Sequence, residues 1–225
     1  MKKKPVYVLS GGGKAAAYGA GFVHAAAKQT KLKPNDIHAC VSTSAGQVNA
    51  NNFQLENTAA GLGIHLRYVT SGAVNPGNTL AYMQQRFLGN GQPTQHIMDI
   101  QQIMQIVGEE GVLNIEKLRA QSGESYVRLF NRKDNKVELA DLRVEPAIAI
   151  DRMRTGINFW PYCYDPNPPS DTHEVINLSH CMDCVSGHMG LEQLAERFEG
   201  HPIVCVLSAH RDVLTKWTNR VWGQA

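Results

Sequence analysis

No apolar run in the chain approaches the roughly 18 residues that a membrane-spanning helix needs, so a helical transmembrane protein is not expected. A strong charge of either sign is missing as well. Lys and Arg number 22 against 20 Asp and Glu, and a net charge of +2 is too small for the basic footprint of a nucleic-acid-binding protein. The one basic run, Lys2-Lys3-Lys4, is short and reads as a solvated cluster. Low-complexity tracts are absent, and 43% hydrophobic with 19% charged residues is an ordinary globular balance. Cysteine is sparse and odd in number, five in 225 residues, which argues against a disulfide framework and for a reducing compartment. The apolar stretch from Val6 to Leu9 gives way to Ser10 and three glycines, too short for the apolar region of a secretion signal. The expected location is therefore the cytoplasm.

A chain of this length is ordinary for one α/β domain, and a single domain over residues 1–225 is the expectation. The order of patterns supports it. Pro5 to Leu9 reads as a strand, Gly11-Gly12-Gly13 as a loop, and the Ala-rich stretch from Ala15 to Lys28 as a helix. A second such unit follows: strand Ile37 to Val41, turn Ser42 to Gly46, helix Gln47 to Leu55. Two successive strand-to-helix units predict a parallel sheet. Further helices are expected at Ala59 to Val69 and Thr79 to Phe87. The stripe Ile97, Ile100, Ile103, Met104 and Val107 reads as core, or as a cap over the site. Ser125 to Asn131 and Lys136 to Leu139 read as a hairpin, Pro161 to Pro169 as a loop, Glu174 to Leu178 and Ile203 to Leu207 as strands, and Leu191 to Phe198 as a helix.

Ser44 lies where an apolar strand turns sharply into a helix, the context of a nucleophile elbow. Such an elbow reads G-x-S-x-G because small residues let strand and helix approach; here Ser42 fills the first glycine position and Gly46 the last. Taken alone, a string such as Ser42-Thr43-Ser44-Ala45-Gly46 is more often an ordinary helix cap than an elbow. The glycine loop supplies the other half of an acyl-transfer site, since backbone N–H groups at a helix start stabilise a developing oxyanion. A phosphate-binding loop is the rival reading. It fails the Walker pattern, because Lys14 precedes Ala15 and the earlier glycine position is Val8, and it fails the dinucleotide pattern at Ala16.

Leu9 to Gly13, Ala17-Tyr18-Gly19-Ala20-Gly21, and Ser42 to Gly46 with Asn49-Ala50 together resemble the patatin-like phospholipases over roughly the first 55 residues. The resemblance implies a three-layer α/β/α fold with a mostly parallel central sheet. It also implies lipid acyl-ester hydrolysis of the phospholipase A or lysophospholipase type, without a cofactor. Ser44 is then the nucleophile, Gly11, Gly12, Gly13 and Ala45 form the oxyanion hole, and Asp183, between a strand and a helix late in the chain, is the base. The chain departs from the family at Ser42, at Lys14 to Ala16, and at Cys184, which stands where a glycine usually follows the Asp. An inactive member serving as a lipid- or protein-binding module is the corresponding alternative. The expected partner is a lipid or other acyl-ester substrate, with peripheral contact at a membrane surface, and no nucleic acid.

His180-Cys181-Met182-Asp183-Cys184, with His173 and His188 nearby, is the densest set of metal-ligand types. A lone C-x-x-C lacks the second pair of a structural zinc site, so buried cysteines are expected and no metal; zinc through Cys181 and Cys184 is the alternative.

Overall fold

The computed structural model of the protein describes residues 3–11, 16–75, 98–131, 133–134, 136–158, 163–164, 173–175 and 191–206. Among these the chain runs β1 (Val6–Leu9), α1 (Ala16–Thr30), β2 (Ala39–Ser42), α2 (Gly46–Gln54), α3 (Ala60–Thr70), β3 (Met98–Asp99), α4 (Ile100–Glu109) and α5 (Ile115–Ala120). It continues through β4 (Glu124–Asn131), β5 (Lys136–Asp141), α6 (Pro146–Thr155), β6 (Cys163–Tyr164), β7 (His173–Val175), α7 (Leu191–Arg197) and β8 (Ile203–Val206).

The architecture is mixed α/β around a mostly parallel sheet ordered β5-β4-β2-β1-β8. β1 pairs in parallel with β2 and β8, and β2 in parallel with β4. β4 outruns its neighbour: Glu124 to Val127 pair with β2, and Leu129 to Asn131 pair antiparallel with β7. β5 closes that side as the antiparallel arm of a hairpin, Asn131 opposite Lys136. β3 and β6 form a separate parallel pair.

The inner strands are short, β-branched and buried on both faces, as parallel strands require. Their side chains alternate between two clusters. Val6, Val8, Ala39 and Val41 pack with Leu194 and Phe198, whereas Leu9 and Cys40 pack with Val23, Ala50 and Phe53. Burial drives the Cys40 thiol pKa upward, so this cysteine is an unreactive apolar filler. A third cluster joins α2, α3, α4 and α6 through Val48, Ile64, Ile103, Val107 and Met153.

Local signals set the helix starts. Asp99 accepts from the Gln102 N–H at 3.0 Å and caps α4; Asn114 accepts from the Lys117 N–H at 3.0 Å and caps α5. α6 begins at Pro146, whose missing N–H costs nothing in a first turn. The expected elements do not include α5 and α6. The expected helix Thr79 to Phe87, most of the Pro-rich loop, and residues 176–178 and 207 of the expected late strands lie outside the described residues. Among the described residues, no helix is long and apolar enough to cross a membrane.

Leu194 is fully buried against β1 and β2, and removing its side chain opens a cavity beneath the sheet. Leu194→Ala is expected to lower unfolding free energy by about 2–5 kcal/mol, measured by urea denaturation.

Candidate active site

β2 ends at Ser42, α2 begins at Gly46, and the three residues between them make the turn. Ser44 sits at its apex with φ of +51°, a left-handed backbone that serine adopts only under constraint. Two glycines supply the constraint. A Cβ on Gly46 would lie 2.6 Å from the carbonyl oxygens of both Leu9 and Ser10, and one on Gly11 would lie 2.7 Å from Ser44 Cβ. Each position therefore excludes any side chain. The loop and the elbow approach so closely that a Gly11 Cβ would stand 3.5 Å from Ser44 Oγ.

The residues around Ser44 have defined partners. Ser42, in the first glycine position of an elbow pattern, donates its buried hydroxyl to the Tyr126 carbonyl at 3.0 Å, which accounts for a polar side chain there. Arg128, buried on β4, donates from Nε to Thr43 Oγ1 at 2.7 Å and so fixes the residue before the apex. Gly46 N–H donates to Thr43 and Gln47 N–H to Ser44. Among the described residues, the N–H of Ala45 has no acceptor and α2 has no side-chain cap, so its positive end is open.

An apolar cavity of about 60 Å³ adjoins this turn, with Ser44 and Ala45 in its wall. Its other walls come from α3 (His65, Tyr68, Val69), from α4 (Ile103, Met104, Val107), and from Met153 and Ile157 at the end of α6. The expected cap stripe thus borders the site through Ile103, Met104 and Val107, while Ile97 lies outside the described residues.

A relay of hydrogen bonds ties this cavity to the helix that follows the glycine loop. Asn49 Nδ2 donates to the Ala16 carbonyl at 2.8 Å, so its Oδ1 is an acceptor, and His65 Nε2, at 3.0 Å, must carry the proton. Gly19 makes room: a Cβ there would stand 2.9 Å from Asn49 Nδ2. Burial holds the His65 pKa down to about 4, so the ring is neutral.

Of the residues expected in the site, the structure brings together Ser44, Ala45 and Gly11. Gly12, Gly13, Asp183, Cys181 and Cys184 lie outside the described residues, as do two further carboxylates of the sequence, Asp165 and Asp171. Asp151, another carboxylate in the second half of the chain, is on the surface of α6 and 3.9 Å from Arg154. His173, from the metal-ligand set, contacts Glu138 at 3.2 Å. Among the described residues no group of three or more His, Cys, Asp or Glu could hold a metal. The sequence reading missed Gln47, His65, Tyr68 and Arg128. No spacing rule singles out these four, although a histidine at helical distance from an apolar stripe was a signal available for His65. No protein-family model and no curated protein matches the chain.

Two measurements test this geometry. Ser44→Gly relieves the left-handed backbone and is expected to raise unfolding free energy by about 1 kcal/mol, whereas Ser44→Ala leaves it near the parental value. The neutral His65 gives a pH signature. Its folded pKa of about 4 lies below the ordinary 6.5, so the unfolded chain binds the extra proton between those values. Stability contributed by this group is full above pH 6.5 and falls as pH drops toward 4, by up to about 3 kcal/mol. His65→Gln, which keeps a donor for Asn49, should flatten that slope in urea unfolding at pH 7 and 4.5.

Proposed function

We propose that the protein is a serine hydrolase of lipid acyl esters, of the phospholipase A or lysophospholipase type, with the three-layer α/β/α fold of the patatin-like phospholipases it resembles. The observation that carries the reading is the left-handed backbone of Ser44 at a strand-to-helix turn beside an apolar cavity. Strain of that kind persists only where the surroundings over-determine it, such places cluster at functional sites, and a nucleophile elbow uses it to turn the serine side chain out of the sheet. The layered fold draws support from the two side-chain clusters on alternate sides of β1 and β2. A lipid substrate draws support from the cavity lining, and from Leu62, Leu66 and Val69, apolar side chains exposed along α3; Val69 also lines the cavity.

In this mechanism Ser44 Oγ attacks the ester carbonyl and passes its proton to Asp183. The carbonyl oxygen becomes an oxyanion held by backbone N–H groups of the Gly11 to Gly13 loop and of Ala45, each worth about 10²–10³ in rate. The unpaired Ala45 N–H and the open positive end of α2 suit that role. Collapse expels the alcohol with the proton from Asp183; water then attacks the acyl-enzyme as Asp183 again takes the proton, and breakdown of this second intermediate cleaves the Ser44 ester, releases the carboxylic acid and returns the proton from Asp183 to Ser44 Oγ. The assignment of Asp183 rests on the resemblance and on its position in the sequence between β7 and α7. Asp151, engaged on the surface of α6, is poorly suited to the task. Cysteine usage favours the cytoplasm as the place of action.

Ser44→Ala is expected to abolish hydrolysis of short p-nitrophenyl esters and labelling by a fluorophosphonate probe while the protein stays folded. Unchanged turnover in that variant would end the hydrolase reading, and a parent protein that neither turns over nor labels would favour a binding module. Asp183→Asn should lower kcat/KM by about 10³–10⁴ with the fold intact, against a small loss for Asp151→Asn.

A further inference from the structure

β4 changes partners partway along one edge. Glu124 to Val127 pair with β2, whose last residue, Ser42, stands opposite Val127, and Leu129 to Asn131 pair with β7. Arg128 is the residue between these two segments, the first position of β4 past the end of β2, level with the start of the elbow. It is 4% exposed, and its Nε donates to Thr43 Oγ1 at 2.7 Å.

Thr43 is thereby held by all three of its polar groups. Its N–H donates to the Leu9 carbonyl at 3.1 Å, its carbonyl accepts from the Gly46 N–H at 2.9 Å, and its hydroxyl accepts from Arg128. The two backbone bonds are open to any residue with an N–H at position 43. The third needs a hydroxyl there and a donor 85 residues along the chain. A charge-assisted hydrogen bond is roughly twice as strong as a neutral one, and the planar guanidinium aims its Nε–H along one line, so this bond also fixes the rotation of the Thr43 side chain. Ser42 adds a second tie to the same strand through the Tyr126 carbonyl. Two successive side chains of the elbow are thus anchored on β4, and the next residue is Ser44 with its left-handed φ of +51°.

We infer that Arg128 is a positioning residue for the nucleophile: through Thr43 it holds the turn that presents Ser44 to the ester carbonyl. The inference rests on the reading of Ser44 as nucleophile. Arg128 acts in this way on the geometry of attack and not on the binding of substrate, so its loss is felt in kcat and not in KM. A displacement of about 1 Å in a reacting group costs on the order of 10²-fold in rate.

The test uses p-nitrophenyl butanoate and fluorophosphonate labelling with Thr43→Val, which keeps the shape of the side chain and removes the acceptor, Thr43→Ser, which keeps the acceptor, Arg128→Met, and the double variant Thr43→Val with Arg128→Met. Thr43→Val is expected to lower kcat and the labelling rate by about 10- to 100-fold with KM within about twofold of the parent, while Thr43→Ser stays within about threefold on every measure. Arg128→Met should match Thr43→Val, and the double variant should be no slower than the slower single one, because the two side chains act as a unit. A second readout needs no substrate. Ser44→Gly should raise the melting temperature of the parent more than that of Thr43→Val, since a turn released from Arg128 no longer forces the left-handed backbone. Undiminished kcat in Thr43→Val, an equal loss in Thr43→Ser, a rise in KM with kcat unchanged, losses that multiply in the double variant, or equal stabilisation by Ser44→Gly in both backgrounds would each overturn the inference while leaving Ser44 in its role. A parent protein that neither turns over the ester nor labels would instead remove the nucleophile and this inference with it.

Discussion

The left-handed backbone at Ser44 is the constraint on which the rest of the site depends. A non-glycine residue in that conformation is disfavoured by roughly 1–2 kcal/mol, and it persists because its surroundings leave no alternative. The surroundings are the ends of two parallel strands. Leu9 faces Ser42 in register, the Leu9 carbonyl takes the Thr43 N–H at 3.1 Å, and Gly46 passes directly over the Leu9 and Ser10 carbonyls. A side chain at Gly46 would push α2 off the strand ends, and a side chain at Gly11 would displace Ser44 itself. Strand register, loop and helix entry therefore form a single geometric unit.

α2 is the element whose composition and environment disagree most. All nine of its residues are buried, yet five of them are Asn or Gln. Part of the explanation lies in where their amides reach. Asn49 donates to the Ala16 carbonyl and Gln54 to the Glu124 carbonyl at 3.0 Å, so the helix is pinned to α1 and to the start of β4 by directional contacts. Each such bond contributes about 0.5–1.5 kcal/mol net, less than apolar burial of a leucine, but it fixes rotation and height, which apolar packing leaves loose. A helix whose entrance is the strained Ser44 turn gains more from position than from stability.

The sequence made the elbow, the tight approach at Gly11, the hairpin and the late strand Ile203 to Val206 legible, because each is written in local chemistry: small residues at a tight approach, β-branched runs, a polar turn. The start of α6 had a local signal too, in Pro146 after Glu145 with arginines in the last turn, but ten residues with mixed periodicity did not separate it from loop. The short α5 announced itself only through its Asn114 cap. Burial of Gln47, Asn51 and Gln54 was not legible at all, since polar side chains carry no periodic mark of an interior position. The pairing of Arg128 with Thr43 spans 85 residues of chain, and contacts at that separation are set by strand order, which a single sequence does not encode locally.

The contact of α1, α2 and α3 through Gly19, Gly61 and Asn49 has almost no slack: a Cβ on Gly61 would meet Ala20 at 3.3 Å, and one on Gly19 would meet Asn49 at 2.9 Å. The cavity walls are therefore unequal in how freely they can change over evolutionary time. On the α4 side, Ile103, Met104 and Val107 touch the cavity without joining the relay, so a lineage can trade their sizes and reshape the cavity without disturbing the elbow. On the α3 side, His65 is coupled through Asn49 to α1, and a change there is felt beyond the cavity. The cavity's shape is open to mutation along one wall and locked to α1 along the other.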